Sequence, residues 1–322
     1  MKSVRSILAG LAALLLSASV FAQSFPQRPV RLIVAYATGG VSDIMGRVLA
    51  ARMSETLGQP MVVENRAGAG GMIGTDFVAK QPPDGYVVVL SSPTQMAIVP
   101  NLNKSTPYDP IKDFTSIGAF AITPNILTIN VALPFRSLKE LVNHAKANPK
   151  ALTFGSSGPG SVGHLSGEVL RITTGADLLH VPYKSAGAAY PDMFSGNVSM
   201  VFDTLPSAIQ HVNSGKARPI ALMASKRSAL LPDVPTFAEA GFPEATLHFW
   251  LGLHGPANMP APVVNTLNEA LRKALESKEL RDRFAQLGAD PLVSTPAELA
   301  EMTKTSLERI TKTIKDAGIT AN

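Results

Sequence analysis

Apolar positions along the chain fall into two alternating rhythms. Val30 to Tyr36 is a β-branched and apolar run interrupted by Arg31 alone, the mark of a buried strand, and Thr38-Gly39-Gly40 breaks it. Ile44, Val48, Leu49, Met53 and Leu57 then recur at helical spacing, and Gly58 with Pro60 ends that helix. A short strand over Pro60–Val63 follows. A glycine-rich stretch, Ala67 to Gly74, leads into a helix through Lys80, and Pro82-Pro83-Asp84-Gly85 turns into a third strand, Tyr86–Leu90. This β-α-β-α-β order predicts a parallel sheet flanked by helices.

The rhythm then restarts. Phe120 to Asn130 is a long apolar stretch interrupted at Thr123-Pro124-Asn125. The pattern predicts helices over 138–146 and 162–173, and strands over 151–154, 178–183, 198–202, 219–224 and 248–253. Two last helices run over 261–275 and 296–317. Two α/β halves joined by extended segments imply two lobes with a cleft between them. Residues 23–122 plus about 226–322 are assigned to the first lobe, although the sequence does not place the last helices, and 123–225 to the second. Hinge segments are expected near 120–124 and 224–226. Ligands bind beyond the carboxyl ends of parallel strands and between domains.

The first 22 residues are read apart from the fold. Lys2 and Arg5 precede an apolar run, Ile7 to Val20, and Val20-Phe21-Ala22 supplies small residues at a cleavage site. This is the pattern of a secretory signal peptide cleaved after about Ala22, and the run is shorter than the ~20 residues of a spanning helix. The remaining chain is expected to be exported and soluble. Without the leader the formal charge falls from +5 to +3, and the scattered basic residues offer no nucleic-acid surface. The 16% charged fraction is too low for a coiled coil or a disordered chain. Absence of cysteine removes disulfides, thiolate metal sites and cysteine nucleophiles together.

Two loops carry the chemistry. In the first, Tyr36-Ala37-Thr38-Gly39-Gly40-Val41-Ser42-Asp43 joins a strand to a helix whose first amides lack internal partners. Free N–H groups at a helix start form an anion site, and Ser42 or Asp43 is a capping residue. An ordinary capped turn is the competing reading. The second loop, Gly155-Ser156-Ser157-Gly158-Pro159-Gly160 followed by Ser161 and His164, repeats this grammar and adds hydroxyls. Facing each other across a cleft, the two loops grip a carboxylate without burying a lysine or arginine. Ser92 (in Ser91-Ser92-Pro93-Thr94-Gln95), Asp203 and Thr204 each follow a strand and are further candidates, as is Tyr183-Lys184.

Enzyme motifs fail in detail. Gly68-Ala69-Gly70 lacks the third glycine of a dinucleotide fingerprint, Gly215-Lys216 is followed by Ala217, and no serine sits in GxSxG. The six histidines show no metal-ligand spacing, so neither metal nor cofactor is expected. An exported α/β hydrolase remains the alternative; its nucleophile would be Ser156, Ser157 or Ser161 with His164 as base.

Several segments together resemble the substrate-binding receptors of tripartite tricarboxylate transporters, the TctC/Bug family of periplasmic binding proteins. They are Phe25-Pro26-Gln27-Arg28-Pro29-Val30-Arg31-Leu32-Ile33-Val34, Gly39-Gly40-Val41-Ser42-Asp43, Glu64-Asn65-Arg66-Ala67-Gly68-Ala69-Gly70-Gly71, Pro83-Asp84-Gly85-Tyr86, Gly155-Ser156-Ser157-Gly158, His180-Val181-Pro182-Tyr183-Lys184 and Leu231-Pro232-Asp233-Val234-Pro235-Thr236. The resemblance implies an α/β, two-lobed Venus-flytrap fold of the periplasmic type II-like class, each lobe a mainly parallel sheet flanked by helices. It also implies closure on a small mono- or dicarboxylate, held by loop backbone and hydroxyl groups, often through two waters, and transient docking of a monomeric receptor to a membrane permease. A signalling input is the remaining alternative. Ala37-Thr38 stands where the family's first loop usually carries proline, so Thr38 adds a hydroxyl there.

Overall fold

The computed structural model describes residues 25–247 and 249–319; the leader lies outside them, as does His248 of the strand expected over 248–253. The strands in chain order are β1 (Val30–Val34), β2 (Met61–Asn65), β3 (Val87–Ser91), β4 (Phe114–Ile122), β5 (Asn125–Asn130), β6 (Leu152–Ser156), β7 (Leu178–Pro182), β8 (Met200–Thr204), β9 (Ala217–Met223), β10 (Trp250–Pro256) and β11 (Asp290–Pro291). The helices are α1 (Val41–Leu57), α2 (Met72–Ala79), α3 (Val99–Leu102), α4 (Leu138–Ala147), α5 (Val162–Thr174), α6 (Tyr190–Ser195), α7 (Leu205–Asn213), α8 (Ala261–Glu276), α9 (Lys278–Gln286) and α10 (Pro296–Ala317). A π-turn, Thr94–Ile98, runs directly into α3.

The strands form two sheets, ordered β11-β4-β10-β3-β1-β2 and β7-β6-β8-β5-β9. Both are mixed rather than purely parallel, and the reason is topological. β1, β2 and β3 are parallel, as are β6, β7 and β8. β5 is antiparallel to both its neighbours, and so is β10. These are the strands by which the chain enters a sheet from the other lobe. A chain arriving from the cleft side starts at the end where the parallel strands finish, so it must run backwards. The two crossings lie side by side, with Thr123 N–H donating to the Phe249 carbonyl at 2.8 Å.

Each sheet is covered on both faces, which is why β3 and, apart from Arg31 near its start, β1 read as apolar runs. Leu32 and Val34 face α1, α8 and α9 with Met45, Leu49, Leu271 and Phe284, while Ile33 faces the opposite way with Val89, Trp250 and Leu299. In the second lobe Leu127, Phe154 and Phe202 pack with α4 and α5, and Ile126, Val201, Tyr190 and Leu205 fill the other face. The return to the first lobe comes later than about residue 226. Thr236 pairs with Leu222, and Phe237, Leu247 and Phe249 sit in the second-lobe core, so the segment around 236–247 and Phe249 pack there. The last helices divide: α8 and α9 join the first core, whereas α10 puts Leu299 in the first and Ile310 and Ile314 in the second.

Candidate functional site

The loops singled out from the sequence follow β1, β3, β6 and β8, and three of them open directly into α1, α5 and α7. In the first loop Ala37, Thr38, Gly39 and Gly40 are exposed and Tyr36 and Ser42 partly so. Gly39 takes φ +85° and Gly40 is the N-cap of α1 without any side-chain cap, leaving the first α1 amides to other partners. Asp43 is buried and turned away from them. Its Oδ2 accepts from Gly39 N at 2.9 Å and Arg47 Nε at 3.1 Å, and its Oδ1 accepts from Asn65 Nδ2 at 2.9 Å and lies 3.0 Å from Arg47. Both oxygens are thus spent on holding the turn. The Arg47 guanidinium, ahead of an opposing burial effect, holds the Asp43 carboxyl down at about 2.

Ser92 is drawn to the same loop. Tyr36 Oη lies 3.4 Å from Ser92 Oγ and donates to Gln95 Oε1 at 3.2 Å, and Ser92 Oγ donates to the same oxygen at 2.5 Å. Gln95 Nε2 in turn donates to the Leu90 carbonyl at 3.0 Å. Gln95 is fully buried in the π-turn, a helical irregularity that commonly marks functional positions. Burial pushes the Tyr36 phenol above its usual range, so it acts as a neutral donor.

The second loop is wired differently. Ser161 caps α5, its Oγ accepting from His164 N at 3.2 Å, and the same hydroxyl donates to Ser156 Oγ at 3.2 Å. Gly160 N donates to His164 Nδ1 at 2.9 Å. Ser156 is fully buried; it accepts from Gly158 N at 3.2 Å and lies 2.7 Å from His180 Nε2. The His164 and His180 rings stack at 4.0 Å and 14°, with Phe154 stacked on both. Burial lowers both imidazoles to about 4, so at neutral pH each is an uncharged acceptor. Ser157 is exposed and bare toward solvent, Gly155 is buried under Tyr183 and Ala189, and Gly158 lies against the Tyr183 carbonyl.

Asp203 ends β8 buried. Its Oδ1 accepts from Thr204 N at 2.7 Å, Oδ2 has no hydrogen-bond partner, and burial pushes the carboxyl up to about 6. Thr204 is the N-cap of α7, again without a side-chain cap. Asn125, fully buried at the neighbouring crossing and paired with Thr204 in register, has an unpartnered Nδ2. The two loops meet the same helical segment: Tyr36 bonds Gln95 at its start, and Gly160 rests on Leu102 at its end. A cavity of about 570 Å³ lies elsewhere, lined by Ile122, Trp250 and Phe249 at the crossings and by Met302 and Ile310 of α10.

Three contributors were not nominated by sequence: Asn65 and Arg47 behind Asp43, and His180 behind Ser156; Gln95, the hub under Tyr36, lies in the 91–95 stretch already singled out. Arg47 is four residues from Asp43 on α1, a spacing the sequence does carry, whereas Asn65 and His180 act across strand pairings that no local pattern reveals. Asn65 reaches the first loop because β2 pairs β1, and His180 reaches Ser156 because β7 pairs β6.

The chain is similar to known proteins along most of its length. BugT of Bordetella pertussis is 36% identical over 304 residues, 94% of this chain and 93% of that protein. Among solved structures, an adipate-bound protein of R. palustris is 34% identical with a TM-score of 0.78, covering 92% of this chain and all of that one. MatC from Rhodopseudomonas palustris, solved with malate, is 32% identical with a TM-score of 0.73, covering 90% of this chain and all of that one. The tripartite tricarboxylate transporter family receptor model matches residues 45–319. Two lobes, loops at strand ends and a match spanning both sheets agree: the chain belongs to the tripartite tricarboxylate transporter receptor family.

Proposed function

We propose that this receptor captures a small organic mono- or dicarboxylate between its lobes in the periplasm and passes it, as a monomer, to a membrane permease. We also propose that its leader is removed near Ala22. The observation that carries the reading is the start of α1, where an exposed glycine turn leads into a helix whose N-cap, Gly40, brings no side-chain cap to its first amides. An anion at a helix start gains about 0.3–1 kcal/mol from the macrodipole, before any hydrogen bond is counted. Asp43, Asn65 and Arg47 hold that turn from behind, leaving its outer side for ligand. Thr38, Ser92 and Tyr36 supply hydroxyls, and the second lobe answers with the Gly155–Ser161 loop, His164 and the Asp203-Thr204 turn. The carboxylates in the two solved relatives support the substrate class.

A ligand touching both lobes favours closure by the free energy of those joint contacts alone. The hydrolase alternative gains no support from the geometry. Of the three candidate serines, Ser156 is the one whose hydroxyl bonds an imidazole; it is fully buried, and among the described residues no carboxylate is bonded to His180. Calorimetry and thermal unfolding with succinate, malate and adipate, against glucose as control, test the reading. An acid held at about 100 times its Kd adds about 2.7 kcal/mol of stability. Binding of the sugar with no response to any acid would sink it, and so would turnover of the acid.

A further inference from the structure

We propose that His180 is the positioning residue of the second-lobe loop, acting on the carboxylate through the loop shape that Ser156 and the Gly158 amide fix, without touching the ligand itself. The inference rests on the carboxylate reading above and adds a residue to it. The hydroxyl of Ser156 is the centre of the loop: Gly158 N and Ser161 Oγ both donate to it, each at 3.2 Å, so both its lone pairs are engaged. Its single proton has two acceptors in reach, the Gly158 carbonyl at 3.3 Å and His180 Nε2 at 2.7 Å. The shorter bond is to the imidazole, and accepting it requires a bare Nε2 with the proton on Nδ1.

With the hydroxyl so oriented, its lone pairs face Gly158 and Ser161, and the loop has one shape. Turning that proton toward the Gly158 carbonyl would swing a lone pair away from the Gly158 amide. His180 therefore selects the rotamer that holds the turn. His164 completes the arrangement by accepting from Gly160 N and stacking on His180 at 4.0 Å. The charged groups facing this pair come from α5: Glu168, whose Oε1 is 3.8 Å from His164 Nε2, and Arg171, which pairs with Glu168. Neither bonds His180, so the serine alone fixes its tautomer.

The test compares His180→Phe, which keeps a flat ring for the stack but removes the acceptor, with His180→Gln, whose amide oxygen restores one. Three readouts apply to the full mature chain: affinity for the best-binding acid among succinate, malate and adipate, amide exchange at Gly158, and the unfolding midpoint. Loss of one oriented hydrogen bond predicts about tenfold weaker binding and about tenfold faster Gly158 exchange for His180→Phe. His180→Gln recovers most of both, and the midpoint of the two variants is alike. Imidazole ¹⁵N shifts of the unaltered protein place the His180 proton on Nδ1 and the His164 proton on Nε2. Unaltered protein that binds none of the acids overturns the carboxylate reading, and this role with it. Unaltered protein that binds, while His180→Phe binds equally well or His180→Gln fails to recover, overturns only the proposal.

Discussion

The two loops share a sequence grammar and differ in what holds them. The first is locked by an ion pair: a buried carboxylate, Asp43, receives a backbone amide, a side-chain amide and a guanidinium. The second is locked by neutral groups alone, two stacked imidazoles and two serines. Carboxylate recognition constrains this choice. A net negative charge behind the first turn is cancelled by Arg47, and a neutral second loop adds no repulsion toward an acid. The cost is unequal sensitivity to protons, because the first lock keeps its charge to about pH 2 whereas the second depends on bases that must stay unprotonated.

Acid titration is the largest test of that contrast. His164 and His180 are lowered from 6.5 to about 4, and buried His254, bonded to Ser91 Oγ at 2.7 Å and Ser116 Oγ at 3.0 Å, to about 3. Below pH 6.5 the unfolded chain takes protons that the folded chain refuses, so stability is full above 6.5 and falls toward 4. Asp203 acts oppositely: raised from 3.8 to about 6, it takes its proton first in the folded state and gains stability as pH falls through that range. Three histidines against one aspartate leave a net loss of about 2–3 kcal/mol per pH unit between pH 6 and 4. Urea unfolding across pH reads this slope. Replacing both loop histidines by glutamine leaves His254 against Asp203, which cancel, so the slope flattens apart from a small part due to His211 and a loss near pH 4 from the lowered carboxyls Asp43, Glu64 and Asp109. A slope that survives the double replacement places the sensitivity outside the second loop.

Next in size is Asp43→Ala. It strands the Gly39 amide, Asn65 Nδ2 and a guanidinium at once. Severing a buried pair costs about 3–5 kcal/mol, and Arg47 keeps half its side chain in water, so the expected loss is about 2–3 kcal/mol. Ligand affinity falls with it, and the slope between pH 6 and 4 stays as in the unaltered protein. A changed slope would mean that the two locks are coupled.

How much of this was readable beforehand follows from where the signals reside. The loop after β1 stood out because a strand buried on both faces leaves a long apolar run, and two glycines end it abruptly. The loop after β6 was legible for the same reason. The helices over 94–102, 190–195, 205–213 and 278–286 were not read, because Pro93, Pro100, Pro191 and Pro206 mimic loop punctuation while in fact occupying first turns. α9 has a mostly charged surface and only Leu280 and Phe284 buried, too few for a period. The stretch from about 226 is assigned by sequence to the first lobe, yet Val234 and Phe237 are buried in the second. His180 lies in the family-like segment 180–184, but its partner, Ser156, is 24 residues away on the neighbouring strand. Pairing between strands sets such contacts, and no single stretch of sequence encodes it.

The smallest effects come from a matched pair of glycines, one per loop. Gly39 has φ +85° and a methyl group there would meet nothing within 4 Å, so Gly39→Ala is charged only for the left-handed backbone, about 1 kcal/mol. Gly160 has φ +70°, and its added methyl would lie 2.0 Å from Leu102 Cδ1. Leu102 ends α3, in the segment that also carries Gln95 and that packs Ala97 and Ile98 into the second-lobe core, so the methyl presses the second loop away from this bridging segment. Some of that overlap is relieved by rotating the leucine side chain, which keeps Gly160→Ala to about 2 kcal/mol. The informative quantity is affinity for the acid relative to stability. Gly160→Ala weakens binding beyond its stability cost, since it displaces one loop relative to the other, and Gly39→Ala weakens it only by stiffening the first turn. Made together, the two substitutions should add to within about 0.5 kcal/mol in stability if the loops are separately held. Coupling in stability would show that the locks share a rigid body through the 94–102 segment, and the contrast between them would then describe one clamp rather than two.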